Sequence, residues 1–215
     1  MIIAAFGDSI MEARTGISPE EGWDTLLKKE LGPAHTLVNA GVGGNSAREA
    51  AARWERDVLA RRPDYILLEL GGNDQDPRPG HEARRVGDEE FLEILKKLRA
   101  SLPADFPAAA LTFPPIIDER HQFFPLVPGG RVDEELESQR RILRDFAAES
   151  GWDLLDLHTI FYPRRHDLIL PDGVHLNAAG NCLLKEKIWE LLQKRFPREF
   201  QNIDCVKLAT SVRKP

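Results

Sequence analysis

The chain has 215 residues, 42% of them apolar and 30% charged, with a formal net charge of -6. That is enough apolar material for one sizeable core, and no stretch is marked as a linker. The acidic balance argues against nucleic acid or anionic membrane as a partner, because phosphate-rich surfaces require concentrated positive charge.

The chain opens on Met1-Ile2-Ile3-Ala4-Ala5-Phe6, and Ile2–Phe6 reads as a first strand. This start has no basic n-region and is too short for a signal h-region. No apolar run approaches the roughly 20 residues of a membrane-spanning helix. The expectation is a protein without membrane insertion in a reducing, cytoplasmic setting. Further short apolar runs fall at Thr36–Asn39, Tyr65–Leu70, Ala108–Phe113 and Trp152–Leu157. They are mostly continuous in apolar character, as in strands buried on both faces.

Helical patterns lie between these runs. Ser18-Pro19-Glu20-Glu21 is a capping box with proline at the first helical position, and predicts a helix to about Leu31. Asn45 or Ser46 caps a second, running to about Ala60. Asp88 caps a third, with Phe91, Ile94, Leu95 and Leu98 on one face. Asp133 caps a fourth, carrying Leu136, Leu143, Phe146 and Ala147 and stopped by Gly151. Asn177 caps the last, with Leu183, Leu184, Ile188, Leu191 and Leu192 facing inward. Repeated strand–helix alternation implies an α/β fold, a parallel sheet with helices on both faces. Residues 74–87 and 114–131 are long loops rich in proline and glycine, and 197–215 read as a tail or packed arm. Cys182 and Cys205 form no CxxC or metal spacing and are expected as reduced thiols.

Four segments carry candidate chemistry. The first strand ends in Gly7-Asp8-Ser9, at the carboxyl edge where ligands bind in open α/β sheets. The second ends in Gly41-Val42-Gly43-Gly44, whose backbone N–H groups can form an anion-binding concavity. It departs from the dinucleotide pattern GxGxxG. The third ends in Gly71-Gly72-Asn73-Asp74, where the Asn73 amide offers two donors. Before the last helix stands Asp172-Gly173-Val174-His175, an Asp able to fix the tautomer of a His three residues on. Taken singly, each has an ordinary reading as a turn, an Asx turn or a capped loop. His35, His81, His121, His158 and His166 form no HExxH and no i, i+4 pair, and read as surface or loop residues. Asp74 and Asp76 read as solvated or turn-forming. Arg78, Arg84 and Arg85 read as a solvated charge run.

In this order, and across residues 2 to about 195, the four segments resemble the blocks of the SGNH (GDSL-like) hydrolase family. The resemblance implies a three-layer α/β/α, flavodoxin-like fold with a central parallel sheet of about five strands, spanning residues 1–196. It implies Ser9 as nucleophile, with His175 and Asp172 completing a triad. It implies an oxyanion hole from the Ser9 and Gly44 backbone and the Asn73 side chain. The chemistry implied is hydrolysis of small-molecule carboxylic esters through an acyl-enzyme, with no metal and no cofactor required. Ile10 stands where the family's other name expects leucine. The apolar density of residues 113–130 marks Phe113, Phe123 and Phe124 as candidate substrate contacts and favours acetyl to butyryl esters. Lysophospholipase or thioesterase chemistry, and a non-catalytic flavodoxin-like binding domain, are the alternative readings. The oligomeric state is not legible.

Overall fold

The computed structural model describes residues 1–75, 80, 85–122 and 130–200. Phe123, Phe124, Asp76, Arg78, Arg84, His81 and Cys205 lie outside the described residues.

Five strands, β1 (Ile2–Gly7), β2 (Thr36–Gly41), β3 (Tyr65–Glu69), β4 (Ala108–Leu111) and β5 (Asp153–Leu155), form one sheet ordered β2-β1-β3-β4-β5. Every pairing is parallel, with Ala4 opposite Val38 on one side and Ile66 on the other. The helices in chain order are α1 (Ser9–Glu12), α2 (Trp23–Leu31), α3 (Ala47–Asp57), α4 (Asp88–Ala100) and α5 (Val132–Glu135). They continue with α6 (Glu137–Ser150), α7 (Leu157–Phe161), α8 (Arg165–Leu168), α9 (Ala178–Arg195) and α10 (Pro197–Phe200). The expected three-layer, flavodoxin-like architecture is therefore present.

Side-chain alternation along the strands divides the core into two layers. Ile3, Ala5 and Leu67 pack with Leu27 of α2 and Leu184 and Ile188 of α9. Ala4, Phe6, Ile66 and Leu68 pack with Trp54 of α3, Phe91 and Leu95 of α4, and Phe146 of α6. Full burial on both faces holds for β3 and β4 but not for the edges. In β5, Leu154 is 41% exposed, because an edge strand has one neighbour and incomplete helix cover.

Several helix starts differ from expectation. The Ser18 capping box closes only a single 3-10 turn, Pro19–Glu21, and α2 begins after extended Gly22. Asp88 is the first residue of α4 rather than its cap, and its carboxylate receives the Ser138 hydroxyl from α6. Asp133 does not cap a long helix. It lies inside the short α5 and turns its carboxylate to Ile116 N at 2.8 Å and to the buried Arg140 guanidinium. A buried cation outcompetes a helix terminus for a carboxylate. Ser46 and Asn177 cap α3 and α9 as expected. Beyond α9, Phe200 is fully buried and packs edge-on against Trp189 and at a tilt against His35, so the chain is packed at least that far. No helix among the described residues is long and apolar enough to cross a membrane.

Candidate active site

The sheet order reverses at β1, whose neighbours β2 and β3 lead away on opposite sides. Such a switch point opens a crevice at the carboxyl ends of the strands. Asp8 caps α1 there, accepting the Ile10 N–H at 3.0 Å, and Ser9 is the first helical residue. The Ser9 N–H is thus one of the first-turn donors with no intrahelical acceptor, at the positive end of a short helix. Ser9 itself is 8% exposed.

His175 comes from the turn before α9, tied by Leu170 N to His175 O at 2.8 Å and by Gly173 N to Leu170 O at 3.0 Å. Its Nε2 lies 2.9 Å from Ser9 Oγ and its Nδ1 2.7 Å from Asp172 Oδ2. The other Asp172 oxygen accepts the backbone N–H groups of Val174 and His175. Burial pushes the Asp172 carboxyl up, but these hydrogen bonds outweigh it and hold the group at about 2.

Gly44 adopts φ +75 in the loop after β2, a left-handed conformation that favours glycine. Asn73 follows β3, and its Nδ2 donates to Asp8 Oδ2 and to the Asn45 carbonyl, each at 3.1 Å. Both amide hydrogens thus point at acceptors at rest. Ser9, Gly44, Asn73, Phe113, Ile116 and His175 line a cavity of about 360 Å³. The Phe113 ring packs against Gly72, where a Cβ would collide with it.

Two features were not foreseen. Arg53 of α3 is only 8% exposed and donates to Gly7 O at 2.7 Å, Ala40 O at 2.6 Å and Asn45 Oδ1 at 2.7 Å. It ties together the ends of β1 and β2 and the glycine loop. One arginine on a helix rich in charge reads as solvated, so no local signal marks it. The second feature corrects the reading of Asp74 as a solvated loop residue. It is fully buried, its Oδ1 accepts Ala47 N at 2.7 Å, and Gln139 of α6 lies against it. The α3 N-terminus, brought over by the fold, draws the carboxylate inward.

Burial pushes the Asp74 carboxyl up to about 7. A carboxyl raised in the folded state keeps a proton that the unfolded chain has already released, so its effect on stability is neutral below the ordinary carboxylate range. The penalty then grows as pH rises toward about 7. Asp74→Asn keeps the acceptor for Ala47 and removes the charge. Its stability relative to the parent should therefore improve by on the order of 2–3 kcal/mol between about pH 5 and pH 8, read by urea denaturation. A difference independent of pH would show that Asp74 is not charged at the expense of stability.

No group of three or more His, Cys, Asp or Glu among the described residues is placed to hold a metal ion.

A serine, a histidine and an aspartate in hydrogen-bonded series at the carboxyl edge of such a sheet form an arrangement able to cleave carboxylic esters. The chain belongs to the GDSL-like lipase/acylhydrolase family, whose model matches residues 5–183. It is 37% identical over 190 residues to esterase TesA of Pseudomonas aeruginosa, covering 87% of this chain and 85% of that one. It is 26% identical over 158 residues to an acetylxylan esterase of Geobacillus stearothermophilus, covering 69% of this chain and 68% of that one. The fold is also that of a lipase/acylhydrolase from Enterococcus faecalis, with a TM-score of 0.74 at 23% identity, covering 90% of this chain and 96% of the other.

Proposed function

We propose that the chain cleaves short-acyl esters through an acyl-enzyme on Ser9. The observation that carries the reading is the hydrogen-bonded series from Ser9 Oγ through His175 to Asp172, at 2.9 and 2.7 Å. A serine hydroxyl is a weak nucleophile at neutral pH and needs a base within reach. Neutral His175 takes its proton as Ser9 attacks the acyl carbon, and the imidazolium then protonates the departing alcohol. Asp172, ionised across the neutral range, stabilises that cation without taking the proton.

The tetrahedral oxyanion is received by the backbone N–H groups of Ser9 and Gly44 and by the Asn73 amide. Each such donor contributes on the order of 3 kcal/mol in the transition state. One Asn73 hydrogen stays on Asp8, and the one given to the Asn45 carbonyl at rest turns to the oxyanion. Water, activated by the same histidine, then releases the acid.

The cavity walls support the substrate class. At about 360 Å³ the cavity is near the lower end for ligand pockets, and Phe113 against Gly72 closes one side. Acetyl to butyryl esters fit such a site, and one relative is named for acetylxylan. The test is a series of p-nitrophenyl esters of increasing acyl length beside acetylated sugars. Acetyl to butyryl esters should be turned over faster than octanoyl and longer ones, whereas a long-chain optimum would favour the lysophospholipase or thioesterase reading. Phe113→Leu should raise the hexanoyl-to-acetyl ratio of kcat/KM by about 10-fold. An unchanged ratio with a lowered Tm would reduce Phe113 to packing. An organophosphonate that leaves Ser9 unlabelled would leave only the non-catalytic binding-domain reading.

A further inference from the structure

Beneath Ser9 lie three carboxyl groups with no solvent contact: Asp8 at the end of β1, Glu69 at the end of β3, and Asp74 just beyond it. Among the described residues, few groups of opposite charge face them. Arg53 of α3 and His175 act on Asp8, and Arg48 acts on Asp74. The Asp8 and Glu69 carboxyls are in hydrogen-bonding contact with each other, and the Asp8 N–H points at Glu69 Oε2 from 3.5 Å.

Two buried carboxyls in contact do not both ionise, because burial penalises each charge and the charges repel. One proton therefore sits between them, and the donors around each group decide its place. Asp8 receives the Ile10 N–H at 3.0 Å and the Asn73 amide at 3.1 Å, with the Arg53 guanidinium nearby. Glu69 receives only the long contact from Asp8 N, and its Oε1 meets no N–H or hydroxyl donor among the described residues. The negative charge is better solvated on Asp8, so the proton belongs to Glu69.

We infer that Glu69 is a positioning residue, a buried neutral acid whose O–H is given to Asp8 so that Asp8 holds the Asn73 amide at the oxyanion site. The inference rests on the proposed role of Asn73 in receiving the oxyanion. Titration behaviour agrees with it. Burial and the Asp8 charge push the Glu69 carboxyl well up. Burial also raises Asp8, but the Ile10 N–H and the Glu69 hydrogen bond draw it back to about 6. At neutral pH the pair carries one charge. That single charge matters, because a second carboxylate beneath the reacting carbonyl would oppose the oxyanion that Ser9 attack creates. Asp8 also sits within electrostatic reach of His175 and favours the imidazolium formed during attack.

The test is a double-mutant cycle between Glu69 and Asn73, read as kcat and KM on p-nitrophenyl acetate. Glu69→Leu removes the donor to Asp8 and should lower kcat by about 10- to 100-fold with little change in KM, because the amide is no longer held in line. Glu69→Gln keeps an N–H donor and should stay within about 3-fold of the parent. In an Asn73→Ala background, Glu69→Leu should cause no further loss, since the group it positions is gone. If Asn73→Ala lowers kcat and the Glu69→Leu loss simply adds to it, Glu69 acts elsewhere and the inference fails alone. If Asn73→Ala leaves kcat intact, the oxyanion reading of Asn73 fails and takes the inference with it. Should Glu69→Leu not fold, carboxyl 13C NMR of the parent decides: Glu69 is expected protonated and Asp8 ionised at neutral pH. An ionised Glu69 would overturn the assignment.

Discussion

Ser9→Ala and His175→Ala should each lower kcat on a short-acyl ester by about 10⁴- to 10⁶-fold, and the double mutant should be little worse than either alone. The non-additivity follows from the geometry. Ser9 Oγ and His175 Nε2 lie 2.9 Å apart and carry out one proton transfer, so removing either end removes the whole step. Folding should survive both changes. Ser9 sits in the first turn of α1, whose cap is made by Asp8, and the turn carrying His175 is closed by backbone hydrogen bonds that alanine retains. Steady-state kinetics with a thermal melt on each variant checks both points. Losses that multiply fully in the double mutant would argue that the two residues serve separate steps. Loss of the folded state in either single mutant would leave the kinetic comparison to the other and to organophosphonate labelling of Ser9.

Asn73→Ala should lower kcat by about 100- to 1,000-fold while KM changes little. At rest the amide is fully engaged, with one hydrogen on Asp8 Oδ2 and one on the Asn45 carbonyl. The ground-state substrate carbonyl therefore gains little from it, and the benefit appears as charge develops on oxygen in the transition state. This separates a catalytic from a binding role: a variant with raised KM and unchanged kcat would place Asn73 in substrate binding. Loss of the amide also leaves the ionised Asp8 with one donor fewer, so a modest drop in stability should accompany the kinetic effect.

The parts of the site that the sequence exposes are those built from local chemistry. Gly7-Asp8-Ser9 follows an apolar run, and a polar turn at the end of a buried strand is visible without knowing its neighbours. Asp172 and His175 are three residues apart, so their hydrogen bond needs only a turn. The helix caps at Ser46 and Asn177 are likewise contacts within three residues. Most of the expectations that failed involve partners beyond the next turn of chain, such as Ser138, which lies 50 positions from Asp88. Asp133 looks like a helix cap until Arg140 and Ile116 are brought to it. The Ser18 capping box is real, yet extended Gly22 interrupts the helix it seems to start.

The sequence by itself determined the five strands and the longer helices between them, the parallel sheet, and the segments that end at its carboxyl edge, but not the short helices α1, α7, α8 and α10. Strand and helix periodicities are local consequences of side-chain geometry, and they survive translation into the fold with shifts of a few residues. Only the tertiary structure decided which polar groups are buried. Asp8 and Glu69 are 61 positions apart, Asn73 and Asp8 are 65 apart, and His175 and Ser9 are 166 apart. The charge state of a carboxyl depends on desolvation and on nearby charge, and both are set by what packs against it rather than by what precedes it in the chain. That is why Asp74 reads as a solvated loop residue yet lies fully buried against the start of α3, and why Glu69 reads as one more strand residue yet lies beneath the nucleophile.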